Sequence, residues 1–164
     1  MANKPTVTDL LERAPRLDAS KVDDFLRRLP DRYFEEIDSL QIARDATRLF
    51  ELDGPRDHSI DIFGHPDERV SVRVYAFDVP GLFSLLTGLL SSSGFNIEEG
   101  AIFTYTRESE ETVTTVNRRR RPARIAHTRE KPRYIIDSFF GTVSEISLTT
   151  WRNEFTAKAA RVFE

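Results

Sequence analysis

The sequence predicts an α+β fold, with a helical N-terminal arm leading into a small sheet that carries its own helices. Three observations predict it. Apolar residues recur at helical spacing through residues 1–57, and from residue 58 the period changes to two. Between them and the C-terminus, Asp78–Ile97 reads as a strand end, a tight turn, an apolar helix, a glycine stop and a new strand.

Composition bounds the rest. A chain of 164 residues suits one domain, or one domain with an attached arm. A net charge of −3 gives no footprint for nucleic acid. No apolar run approaches the roughly 20 residues that span a bilayer, and the start lacks the apolar stretch of a secretory signal. Without cysteine there is no disulfide, thiol nucleophile or thiolate metal site. These features read as a cytoplasmic protein.

In the arm, Asp9 to Ala14 predicts a short helix stopped near Pro15. Ser20 is expected to cap a second helix, with Val22, Phe25, Leu26 and Leu29 on its apolar face and Pro30 at its end. Leu29 to Phe34 reads as a joint. Asp38 or Ser39 then caps a third helix with Ile42, Ala43, Ala46, Leu49 and Phe50 inward, and Arg44, Asp45 and Arg48 in water. These helices are too short to be stable alone and are expected to lie on something.

Ser59 to Phe63 alternates, with Ile60 and Ile62 on one face. Gly64 to Asp67 is turn chemistry, and Arg69 to Phe77 alternates again, placing Val70, Val72, Val74 and Ala76 inward. Two such runs joined by a turn predict an antiparallel hairpin. Pro80 is placed in a first helical turn, where its missing N–H costs little, and Gly81 lets the backbone bend. Leu82, Leu85, Leu86, Leu89 and Leu90 form one stripe, Gly88 suggests close packing on the sheet, and Gly94 suits a left-handed stop. Phe95 to Tyr105 returns to strand, with a bulge expected at Gly100.

Residues 106–133 form a long charged insertion holding Arg118 to Arg121, with a possible ribbon over Thr112 to Val116. Tyr134 to Val143 is a strand, with Tyr134, Ile136 and Phe140 opposed to Ile135, Phe139 and Val143. Thr149 or Thr150 caps a last helix carrying Trp151, Phe155 and Ala159. From residue 69 the order is βαββα, one strand short of a ferredoxin-like unit. The strand at 59–63 is expected to take the missing edge, the alternative being a fragment without its fourth strand.

Asp78-Val79-Pro80-Gly81-Leu82-Phe83, followed by Gly94-Phe95-Asn96-Ile97 and Ala101-Ile102-Phe103-Thr104, resembles an ACT domain. More narrowly it is similar to the C-terminal ACT domains of protein-PII uridylyltransferases, and Phe25 to Tyr33 resembles the segment leading into them. Val79 stands where that family commonly has a basic residue. The resemblance implies an ACT-like domain over 58–164 behind an arm or linker at 1–57. It also implies an amino-acid ligand, glutamine being favoured, held near the turn and often between two ACT modules. Asp78, Val79, Pro80, Gly81, Leu82, Asn96 and Ile97 are the implied binding residues. A homodimer or paired ACT modules, and a catalytic partner domain in nitrogen control, are the implied partners.

No catalytic residue, metal site or cofactor is expected. His58, His65 and His127 form no metal-ligand motif, and Glu98 and Glu99 are expected on opposite strand faces. The alternative readings are a ligand-free dimerisation or docking module, and the regulatory part of a nucleotidyltransferase.

Overall fold

The structure, a computed structural model, describes residues 4–107, 132–144 and 146–164. Four helices come first: α1 (Val7–Arg13), α2 (Ala19–Arg28), α3 (Asp31–Glu36) and α4 (Ser39–Phe50). Then follow β1 (His58–Gly64), β2 (Arg69–Phe77), α5 (Leu82–Ser92), β3 (Phe95–Thr106), β4 (Arg133–Val143) and α6 (Leu148–Ala160). The strands form one open sheet in the order β1-β2-β4-β3, with every neighbouring pair antiparallel.

This is the ferredoxin-like arrangement with one substitution. The outer position beside β2, expected of a strand after α6, is filled by β1 from the preceding hairpin. A short antiparallel connection reaches that edge as readily as a returning C-terminal strand does. The insertion, its ribbon at 112–116, the arginine run at 118–121 and His127 lie outside the described residues.

Both faces of the sheet are covered. On one, α5 and α6 pack Leu82, Leu86, Leu90, Trp151 and Phe155 onto Val72, Val74, Ile135 and Phe139. On the other, the arm packs Phe25, Tyr33, Ile42 and Leu49 onto Tyr75, Phe103, Tyr105 and Ile136. Strand alternation feeds the two cores from the same segments: Tyr134 and Ile136 face the arm, while Ile135 and Phe139 face α5 and α6. The arm therefore builds one of the protein's two apolar cores with the sheet, and its short amphipathic helices require such a partner.

Strand β3 serves both cores by a change of register. Phe95 and Ile97 face α5 and α6, whereas Ala101, Phe103 and Tyr105 face the arm. Strict alternation would put all of these odd-numbered residues on one face. The pairing slips between Ile97 and Glu99, leaving Glu98 as an extra residue, and one extra residue inverts every side chain beyond it. The bulge lies at Glu98 and not at Gly100, because the neighbouring strand makes room there. A Cβ on Gly141 would stand 1.9 Å from the Asn96 carbonyl oxygen, so only glycine fits opposite the bulge.

Several local boundaries differ from the sequence reading. Helix α1 begins earlier, closed by a capping box between Thr6 and Asp9. Asp18, not Ser20, caps α2, and Ser147, not Thr149 or Thr150, caps α6. Where a joint was expected at Leu29 to Phe34, residues from Asp31 on form helix α3, preceded by Pro30 in extended geometry. Leu85 is 55% exposed and lies off the buried i, i+4, i+8 line of Leu82, Leu86 and Leu90. Gly88 is exposed with no atom near its Cβ position, so helix packing does not require it.

Asp45 is the largest correction. Expected in water, it is fully buried between α4 and the sheet. Its carboxylate accepts from Arg73 Nε and Nη2 at 2.9 and 2.5 Å, from Tyr75 Oη at 2.8 Å and from Tyr33 Oη at 2.5 Å. Gln41 Nε2 adds a fourth partner at 2.8 Å. Helical spacing on α4 placed Asp45 next to the apolar stripe. The matching cation, Arg73, was hidden because only the tertiary fold brings β2 beneath it.

Candidate functional site

The turn between β2 and α5 is built by Pro80 and Gly81. Proline holds the first central position of a type II turn, and glycine supplies the positive φ of the second, here 81°. The turn closes with Leu82 N–H donating to the Val79 carbonyl at 3.1 Å. Gly81 is the N-cap of α5, so Pro80 stands just before the helix and not within its first turn. The first intrahelical bond runs from Leu85 N–H to the Gly81 carbonyl at 3.0 Å.

No side chain caps α5. Asp78, just before the turn, is engaged by Arg133 and does not cap the helix. Its N–H donates to the Arg133 carbonyl at 2.9 Å, and its carboxylate lies 3.1 Å from the Arg133 guanidinium. The first-turn amides of Phe83 and Ser84 are thus left uncapped at the positive end of an 11-residue helix. Such an end suits a carboxylate. Val79 and Phe83 are 42% and 40% exposed beside it.

On the α5 face of the sheet, where strand alternation places it, lies Asp137, outside the turn motif but close enough for the Asp78 charge to bear on it. It pairs with Val74 on β2 and Ile102 on β3. The residue is 1% exposed, and its Oδ1 has no hydrogen-bond partner. Burial pushes its carboxyl up to about 7, and the nearby Asp78 charge pushes in the same direction. The signal was present in the sequence: between inward-facing Ile135 and Phe139, the same parity falls on an aspartate.

Asn96 and Ile97 stand elsewhere. Asn96 is exposed and pairs with Thr142, whereas Phe77, next to Asp78, pairs with Tyr134. Eight steps along β4 separate those partners, about 27 Å at roughly 3.4 Å per residue. Asp78 to Leu82 are therefore one cluster, and Asn96 and Ile97 another at the opposite end of the sheet. Ile97 packs partly into the α5–α6 core.

The remaining polar features are of other kinds. A cleft of about 600 Å³ opens between α3 and the arm face of the sheet, walled by Arg32, Glu36 and Glu99 and floored by Phe140. Arg32 Nε donates to Glu36 at 2.6 Å, so its cation is already partnered. His58 stacks on Phe163 at 4.2 Å, and His65 Nε2 lies 2.6 Å from Ser71 Oγ. Among the described residues, no three metal-ligating side chains gather.

No family model and no curated protein matches this chain. The fold is ferredoxin-like with a helical arm, and none of its described helices is long and apolar enough to cross a membrane. What the turn binds has to be argued from its own chemistry.

Proposed function

We propose that the protein is a non-catalytic regulatory module of the ACT type that binds an amino acid at the α5 turn. The observation that carries this reading is the uncapped start of α5 next to Asp78. Backbone amides there suit a carboxylate, and the negative charge of Asp78 stands beside them. One ligand cannot touch both Asp78 and Asn96 of a single chain, given their separation. A shared site between two modules, as the family resemblance implies, would bring one copy's Asn96 to the other's turn. Glutamine is the favoured ligand by that resemblance, and a catalytic domain in nitrogen metabolism is the expected reader of the bound state. Binding shifts a partner only by its differential affinity for two states.

A second reading, a ligand-free docking module, draws on β3. That strand is an open edge, with Ile102 47% exposed and Phe83 and Leu85 exposed on the adjoining helix. Calorimetric titration of the folded protein with glutamine and the other amino acids separates the two. Saturable heat with one of them is expected, together with a change in sedimentation on binding. A folded protein that gives no heat with any amino acid would sink the sensor reading and leave the docking module.

A further inference from the structure

Buried carboxylates in native proteins are nearly always hydrogen-bonded or paired, and each exception needs a physical account. Asp137 is such an exception. It sits in an otherwise apolar layer: Val74 flanks it on β2, Ile102 on β3, and Leu82 and Leu86 belong to the core on the α5 side. Among the described residues, none of these neighbours carries a charge. The charge that bears on it is Asp78, whose own partner is Arg133. An apolar side chain would fill this position at lower cost, so packing does not explain an aspartate here.

The surroundings point to a ligand. Ile102, in register with Asp137 on the same face, is 47% exposed, and Phe83, stacked at 5.8 Å on the neighbouring Phe139, is 40% exposed. The carboxylate therefore lies just under an apolar rim and not at the centre of the core. The rim adjoins the uncapped end of α5. We propose that Asp137 is the floor of the α5 site and takes the ammonium group of the bound ligand, whose carboxylate meets the α5 amides and whose methylenes lie against Phe83 and Ile102. This deepens the amino-acid reading and rests on it for the ligand's identity. It adds a residue that the turn motif does not contain, and it assigns the chemistry: a zwitterion with its cation inward.

A proton consequence follows. The ligand cation needs the ionised carboxylate, and the apo protein holds Asp137 largely protonated below neutrality. Affinity then scales with the ionised fraction, rising about tenfold from pH 6 to pH 8. Near pH 7, binding releases about half a proton.

The test has two arms on the full-length protein. In the first, calorimetry with glutamine is run in buffers of different ionisation heat, on the wild type and on Asp137→Asn. The expected results are proton release at pH 7 and at least tenfold weaker binding by the variant. In the second, the carbon resonance of the Asp137 carboxyl is followed while methylammonium chloride or glutamine is added. A shift is expected with both, saturating with glutamine. If glutamine binds but the variant binds equally well and the resonance does not move, Asp137 is not the anchor, and the amino-acid reading stands without it. If no amino acid binds but methylammonium moves the resonance, the cation site stands and the amino-acid reading falls. If neither probe moves the resonance, the proposal is overturned. The second arm needs only wild-type protein, so it decides the matter even if the variant fails to fold.

Discussion

At Asp137 charge and fold oppose each other, and the pH dependence has a definite sign. Its folded value, about 7, lies above the usual aspartate value near 4, so the folded state holds the proton more tightly. Its contribution is most favourable below pH 4 and is lost as pH rises through 7. At pH 8 the loss amounts to about 4 kcal/mol. Asp137→Asn is expected to remove that decline and to stabilise the protein above pH 7, as urea titrations across pH 4 to 8 would reveal. Asp45 is buried as well, but it is paired with Arg73. Burial alone would lower the pKa of Arg73, but the Asp45 bonds outweigh it and hold the guanidinium charged. Burial, reinforced by the Asp45 charge, raises Tyr75 and Tyr33 well above the ordinary tyrosine range. Asp45→Ala strands Arg73 in the interior and is expected to cost about 3–5 kcal/mol, read as a fall in the urea midpoint. Replacing both partners by apolar residues of similar volume is expected to cost far less.

The elements differ in how much their glycines decide. Gly81 holds a left-handed conformation with open space around it, so Gly81→Ala strains the backbone without a clash and is expected to cost about 1–2 kcal/mol. Gly88 lies on the exposed side of α5 with nothing near it, and Gly88→Ala is expected to raise stability by up to about 1 kcal/mol. If thermal unfolding shows that substitution to be destabilising, Gly88 has a packing role that the monomer does not display. The register of β3 depends on Gly141 and the Glu98 bulge together. Gly141→Ala drives a methyl group into the Asn96 carbonyl, and loss of the cooperative unfolding transition is the expected outcome. Helix and strand types along the chain were legible from period and punctuation. The bulge was not, because its cause is the shape of the opposite strand.

For the whole molecule the arm matters most. It buries Tyr75, Phe103, Tyr105 and Ile136 and supplies Asp45 to Arg73. A polypeptide of residues 58–164 alone would expose that apolar face and leave Arg73 without its carboxylate. It is expected to lack a cooperative unfolding transition or to aggregate, as circular dichroism and light scattering would reveal. Arg48 Nη2, 2.8 Å from Asp61, ties the arm to β1 as well, though half-exposed, so that pair adds little. With the arm in place, the β3 edge and the corner at α5 remain open, and function is proposed at that corner.

By itself the sequence determined the order of elements from α4 onward, the hairpin that supplies the edge strand and the turn that starts α5, because these rest on local periodicity and on proline and glycine geometry. It also located Asp78 and Asn96, one at each end of the helix, but not the length of sheet between them. Only the tertiary structure decided that Asp45 meets Arg73, that Glu98 inverts β3 and that Asp137 lies buried and unpartnered on the α5 face of the sheet. Each of these depends on which strand lies beside which, and burial, unlike period, is a property of neighbours far away in the chain.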